Sequence, residues 1–349
     1  MLTAETRRVS ASVSDSAPNK PLEWKRIVEA VDPFLHRVAD RLKAQTTEFD
    51  PQIASYAQYA LAAQGKQLRP MLVSLAGEAL GELNDSHVTV AVIIEMVHLA
   101  TLVHDDVIDE ADLRRGRPSL AANWGNETSV LLGDCLFAHA LKLAASFPTP
   151  EICRAVASST NIVCAGEILQ TRSRGGFDIP RSLYFKMLEM KTAELFALSC
   201  DLGAHLSGAS PARRENLRQY GRALGTAYQL YDDCLDLLGS EASAGKTLGA
   251  DLANGKATLP ILIVRERADA ADSERIRQWI QNWDPSCLEE VVAMIAKYEA
   301  FPESRAVIQQ HLALAQEALA LVPKSPARSG LLGLTAYLTE QIDALGVVY

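Results

Sequence analysis

Two groups of carboxylates repeat one spacing in this chain: Asp105-Asp106-Val107-Ile108-Asp109 and Asp232-Asp233-Cys234-Leu235-Asp236. Each closes an apolar run, Leu99 to Val103 before the first and Ala227 to Tyr231 before the second. In a helix, positions i and i+4 share a face about 40° apart, and i+1 stands about 100° round. Asp105 and Asp109 therefore project together with Asp106 at the flank, and Asp232, Asp236 and Asp233 repeat the arrangement. Three like charges in one turn repel. They become favourable around a hard cation, and magnesium is such an ion, typically held by one or two carboxylates plus substrate phosphates and water. A single cluster of this kind is more often a solvated acidic patch. Two copies, each at the end of an apolar helix, point to metal ions shared between two helices.

Cations accompany the acids. Gly65-Lys66-Gln67-Leu68-Arg69-Pro70 puts two of them where a helix begins, and a helix N-terminus itself attracts anions. Arg114-Arg115 follows the first acidic cluster, Lys191-Thr192 lies in an otherwise apolar helix, and Lys246 and Lys256 each follow a glycine after the second cluster. Each alone is an ordinary surface charge. Together they fit two diphosphate sites, one bridged to magnesium and one held by Lys and Arg alone.

These groups need helices to carry them. Apolar residues recur at i, i+3, i+4 and i+7 nearly throughout, for example Ile27, Val31, Phe34, Leu35 and Val38, and period-2 alternation is almost absent. Asn84-Asp85 reads as an N-cap, with a long helix starting near Ser86. The stretch from Gly239 to Gly255 is the longest non-helical candidate. No composition shift marks a linker, and the two acidic clusters fall in different halves of the chain. The expected fold is all-α: one large antiparallel helix bundle around a central cavity, spanning 21–349 behind a disordered tail at 1–20.

Composition narrows the partners. A formal net charge of -9 over 349 residues argues against a general nucleic-acid binder. The six cysteines form no Cys-x-x-Cys pair and mostly sit in apolar helical contexts, which predicts buried thiols in a reducing compartment. No uninterrupted apolar run reaches about 18 residues, so no transmembrane segment is expected. The N-terminus is polar and carries no secretory signal. A cytoplasmic protein is the expectation.

At these residues the chain resembles the trans-isoprenyl diphosphate synthases. His104-Asp105-Asp106-Val107-Ile108-Asp109 with Leu113-Arg114-Arg115-Gly116 is similar to that family's first aspartate-rich motif and its trailing arginines, and Gln229 to Asp236 to the second. Gly65 to Pro70, Lys191 to Phe196 and Gly245 to Lys256 match its remaining signatures in order, so the likeness covers about residues 60 to 260. The resemblance implies a magnesium-dependent prenyltransferase acting on isopentenyl diphosphate and an allylic diphosphate, and a homodimer. It implies that Asp105, Asp106, Asp109, Asp232, Asp233 and Asp236 hold three magnesium ions on the allylic diphosphate. Arg114, Lys191, Gln229, Lys246 and Lys256 would contact that diphosphate, with Thr192 beside them in the substrate site. Lys66, Arg69, His98 and Arg115 would bind isopentenyl diphosphate, and Asp105, Asp106, Asp109, Lys191 and Asp232 would carry the chemistry. Gln67 replaces a frequent Arg, and Tyr228 a usual Phe; neither change removes a ligand.

If the allylic head sits at Asp105 and Asp109, its tail runs back along the same helix. At about 1.5 Å per residue, Thr101 and Ala100 lie roughly 6 and 7.5 Å below. Both are small, and Val97 one turn deeper is modest. Phe137 on the next long helix is a candidate floor deeper down. In the family this pattern resembles the longer-chain synthases, so the expected product is about C30 to C50. A short-chain (C15 to C20) synthase, a class I terpene cyclase and a non-catalytic subunit of a heteromeric synthase are the alternatives. The second acidic cluster and the Lys66/Arg69 pair argue against the cyclase, which has no second diphosphate to bind, and both intact clusters argue against the silent subunit.

Overall fold

The run from Asp85 to Ile108 contains neither Gly nor Pro, so its apolar period continues for 24 residues. Its start is fixed locally: the Asn84 side chain accepts the Ser86 N–H at 3.0 Å, and the Asn84 N–H donates to His87 Nδ1 at 3.1 Å. The structure is a computed structural model that describes residues 22–62, 65–240 and 247–345. The tail expected at 1–20 and Lys246 lie outside these residues.

In chain order the described helices are α1 (Leu22–Gln45), α2 (Ala54–Leu61), α3 (Leu68–Glu78), α4 (Asp85–Ile108), α5 (Leu120–Ala145), α6 (Glu151–Arg172) and α7 (Arg181–Leu188). A π-turn, Glu189–Ala193, joins α7 to α8 (Glu194–Leu206). Then come α9 (Pro211–Leu238), α10 (Ala250–Ala253), α11 (Leu259–Arg267), α12 (Ala270–Gln281), α13 (Leu288–Lys297), α14 (Ala300–Ala318) and α15 (Pro326–Leu345). Among the described residues the fold is all-helical but for a hairpin of two-residue strands, β1 (Leu113–Arg114) pairing antiparallel with β2 (Arg117–Pro118). Short α10 falls inside the stretch read as non-helical.

α8 stands at the centre. From Glu194 to Ala204 every residue but Asp201 is buried, the signature of a helix enclosed on all sides. α3 and α9 approach it closely because glycines remove the obstacle. A Cβ on Gly203 would stand 2.5 Å from the Val73 carbonyl, and one on Gly221 2.5 Å from that of Phe196. Buried Glu194 ties three helices: it accepts from Ser159 Oγ at 2.6 Å and from Arg218 at 2.5 Å.

α4, α5 and α6 are each long and apolar enough, by length and composition, to cross a membrane. This differs from the expectation, because scattered polar residues interrupt the runs without lowering their mean hydropathy. The apolar window of α4 is 72% buried inside the bundle, whereas those of α5 and α6 are 39% and 28% buried. Their outward sides expose Leu131 and Ile168 at 65% and 60%. The buried-thiol expectation fails on the same faces: Cys135 and Cys164 are exposed, and only Cys200 and Cys234 are buried.

Candidate active site

The first acidic cluster occupies the last turn of α4, where the helix dipole is negative and carboxylates are disfavoured. Cations from four elements offset this. Arg114 on β1 donates Nε and Nη2 to Asp106 Oδ1 at 2.8 and 2.5 Å. Lys191 in the π-turn stands 3.3 Å from Asp105. Lys256, after α10, donates to Asp109 Oδ2 at 2.9 Å, and Arg174, after α6, pairs with Asp109 Oδ1. Burial pushes Asp109 up, but Lys256, Arg174 and Lys191 outweigh it and leave the carboxyl below its ordinary value. At Asp106 burial wins over Arg114, and the pKa is raised.

The hairpin that aims Arg114 turns through Arg115 and Gly116, both left-handed, with φ of 53° and 71°. Two positive φ values at the centre of a two-residue loop match the twist of the strands. Glycine takes that conformation freely, whereas Arg115 is held there under strain.

The π-turn lies between the two acidic clusters. It swells against α6 at Gly166, where a Cβ would stand 2.8 Å from Met190 Cβ. Lys191 Nζ donates to Gln170 Oε1 at 2.8 Å and also pairs with Glu167. Burial lowers the Lys191 pKa, but Asp105 and Glu167 raise it above its ordinary value, so the ammonium stays charged. Next along, Thr192 Oγ1 donates to Gln229 Oε1, and Gln229 Nε2 donates to Asp233 Oδ1, both at 2.9 Å. A pocket of about 90 Å³ between the clusters is lined by Lys191, Gln229, Asp233, Lys256 and Arg174.

The three carboxylates of the second cluster differ in environment. Asp232 is partly exposed. Asp233 is buried and accepts the Tyr184 hydroxyl at 2.5 Å; burial and the nearby Asp251 push it up, to about 8. Asp236 is fully buried, accepts the Asp251 N–H at 3.0 Å, and through its carbonyl accepts the Gly249 N–H at 2.8 Å. That last carboxylate fastens the turn leading into α10.

On the other flank of α4 lies a second group of cations. A Cβ on Gly65 would stand 2.5 Å from the Arg115 guanidinium, so this glycine lets the loop before α3 close on the hairpin. Arg69 packs over the Phe196 ring at 5.1 Å, and its buried Nε has no partner. Lys66 Nζ lies 5.9 Å from the Tyr228 ring. Burial, then Arg69 and Arg115, hold His98 well below its ordinary pKa, so the ring is neutral. Glu95, buried among the arginines, is pushed up by burial against the pull of Arg69 and Arg115. A pocket of about 160 Å³ here is lined by Arg114, Arg115, Arg117, Tyr59 and Leu102.

Below the acidic turn, Ala100 and Val97 are buried, and Thr101 turns its hydroxyl to the His98 carbonyl at 2.6 Å. Phe137 packs its ring 5.7 Å from that of His104, where α5 approaches α4 closely: a Cβ on Gly133 would overlap the His104 imidazole.

As arranged, among the described residues no three carboxylate, imidazole or thiol groups converge on one point, because cationic side chains stand between them. The donor set nevertheless fits a hard divalent cation. It is all oxygen, and Glu167, buried beside Asp105 and Lys191, keeps Oε1 without a donor while Oε2 pairs with Lys191.

Comparison with known proteins accords with this geometry. The family profile of polyprenyl synthetases matches residues 50–298. The chain belongs to the polyprenyl synthetase family. It is 33% identical over 314 residues to octaprenyl diphosphate synthase of Haemophilus influenzae, covering 90% of this chain and 95% of that protein. It is 36% identical to heptaprenyl diphosphate synthase component 2 of Geobacillus stearothermophilus, covering 86% and 92%. Among solved structures it superposes on a polyprenyl synthase from Caulobacter crescentus, complexed with calcium and isoprenyl diphosphate, with a TM-score of 0.86. That match has 32% identity and covers 92% of this chain and 99% of that one.

For a polyprenyl synthetase the cleft holds several residues that sequence reasoning passed over. Glu167, Gln170 and Arg174 come from α6 and its end, Tyr184 from α7 and Glu95 from α4. Glu167 and Gln170 stand i and i+3 on one face, a faint signal that only the position of Lys191 makes meaningful.

Proposed function

We propose that this polyprenyl synthetase joins isopentenyl diphosphate to an allylic diphosphate and repeats the step to an all-trans product of about C30 to C50, in keeping with the 1.5 Å rise that spaces its small residues. The observation that carries the reading is the convergence of Arg114, Lys191, Lys256 and Arg174 on Asp105, Asp106 and Asp109, opposite the second acidic cluster.

Asp105, Asp109 and the partly exposed Asp232 are the direct metal ligands in this reading, while Asp106, Asp233 and Asp236 hold the cluster ends in place. Magnesium held there, three ions by family resemblance, would supply positive charge against the charge that grows on the leaving diphosphate. Lys191, Lys256 and Arg114, which meet the first acidic cluster, would share that load, and Gln229, bonded to Thr192, and Lys246 complete the binding set. The allylic C–O bond breaks with its electron pair going to the diphosphate. The double bond of isopentenyl diphosphate, held by Lys66, Arg69, Arg115 and neutral His98, attacks the resulting cation. The proton lost from the adduct goes to the released diphosphate. Ala100, Thr101 and Val97 leave the way open for the growing tail.

The test is chromatography of the product formed by the purified chain with magnesium, farnesyl diphosphate and isopentenyl diphosphate. A polyprenyl diphosphate longer than C20 is expected, and chelation with EDTA abolishes it. One relative bears the name component 2, which favours a second reading, a chain that needs a partner protein. Turnover that begins only when a second protein is added decides for it. A cyclic hydrocarbon made from farnesyl diphosphate alone overturns both.

The partner expected for the outward apolar sides of α5 and α6 is a second copy of the chain. The exposed Leu131 and Ile168 are the anchors of that proposed interface.

A further inference from the structure

Between α6 and α7 the chain turns through Ser173, Arg174, Gly175 and Gly176, outside all five motifs. Gly175 is left-handed, with φ of 68°, and donates its N–H to the Gly255 carbonyl at 2.8 Å. Gly255 is left-handed too, at 65°, and a Cβ on it would stand 2.9 Å from the Gly175 nitrogen. The two turns are fastened backbone to backbone with no side chain between them. From each, the residue beside the joint sends a cation to the same carboxylate. Lys256 and Arg174 both meet Asp109.

Arg174 is committed further. Its Nη1 donates to the Ile108 carbonyl at 3.0 Å, at the negative end of α4, and its side chain is only 21% exposed. Its Nε is buried with no acceptor, so one donor of the fork is unused. The guanidinium shares its pocket with Lys191, Gln229 and Lys256. A carboxylate that binds a divalent cation cannot keep two cationic side chains on its oxygens, and the displaced groups must find another anion within reach. A planar guanidinium matches diphosphate oxygens two at a time.

We propose that Arg174 is a further diphosphate-binding residue, which neutralises Asp109 in the substrate-free protein and turns to the allylic diphosphate when a divalent cation takes Asp109. The inference rests on the functional reading above for the identity of the diphosphate. The divalent cation and Arg174 then compete for Asp109, and the arginine that the cation displaces is handed to the diphosphate.

The test compares wild type with Arg174→Met, Arg174→Lys and, as a charge control, Arg172→Met at an exposed position on α6. Calorimetric titration of magnesium into substrate-free protein is expected to show about tenfold tighter binding in Arg174→Met, because a competing cation is gone. KM for farnesyl diphosphate rises about tenfold in the same variant, while KM for isopentenyl diphosphate stays within about twofold. Arg174→Lys recovers most of the allylic KM, and Arg172→Met changes nothing. Equal or weaker magnesium binding by Arg174→Met overturns the proposal, and so does an unchanged allylic KM. If Arg174→Met does not fold, Arg174→Gln carries the same comparison. A wild-type protein that makes no prenyl product defeats the functional reading instead, and the titration, which needs no turnover, still decides on Arg174.

Discussion

Lys191 shows how much one side chain is asked to do. It meets Asp105, Glu167 and Gln170 at once, so removing any single partner leaves it held by the others. Asp105→Ala is therefore expected to lower kcat by about 10²- to 10³-fold, the usual loss for one electrostatic group in a catalytic site. Its circular dichroism spectrum and melting temperature should stay near wild type. A kcat within tenfold of wild type would remove Asp105 from the chemistry. At this scale the acids and most of the cations were legible in the sequence, because like charges packed into one helical turn ask for an explanation. Glu167, Tyr184 and Arg174 were not legible, since each is an ordinary residue on an ordinary helix or turn until the fold brings it across. The roles of Asp233 and Asp236 in holding Tyr184, Gln229 and the turn before α10 were equally hidden.

Helices were the readable level, and their interruptions the unreadable one. The period of α4 and its Asn84 cap stand in the sequence; the π-turn does not, because its residues continue a helical pattern. Nor does the hairpin, whose Arg115-Gly116 turn is too short to alternate. Two predictions belong to these elements. Ala100→Phe should shorten the product by one or more five-carbon units, read by chromatography, with a stability loss below the roughly 1–3 kcal/mol of an overpacked site if open space lies beneath. An unchanged product puts the tail along another helix. The second concerns His87, fully buried at the start of α4, whose pKa is lowered by burial despite its bonds to Gly203 and Asn84. A folded pKa below the unfolded value of about 6.5 means that the unfolded chain binds the proton first. The contribution of His87 is complete above about pH 6.5 and is lost as pH falls through the folded value. Urea unfolding at pH 7.5 and 5.5 should show a smaller pH-dependent loss in His87→Gln than in wild type. Equal losses would place the pH response elsewhere.

For the whole molecule the all-helical expectation held, and the inside and outside of its long helices were less well read. α4, α5 and α6 are all apolar enough to cross a membrane, yet α4 is enclosed and the other two turn apolar sides outward. Composition reports how apolar a helix is, not what covers it. If a second copy covers α5 and α6, charges introduced there should break the assembly. Leu131→Lys combined with Ile168→Lys is expected to shift sedimentation from dimer to monomer. A wild-type protein that sediments as a monomer would assign those faces another partner.

The π-turn has one more consequence. A π-turn spends one residue more than an α-turn, and one residue is worth about 100° of rotation. The phase of α8 is locked by its glycine contacts with α3 and α9, and that of α7 by the Tyr184 hydroxyl on Asp233. The turn at 189–193 acts as the gear that lets the two phases coexist on one axis. Deleting Met190 would close it into regular helix, a gain in local order that turns Tyr184 off its partner: a smoother helix and a poorer enzyme.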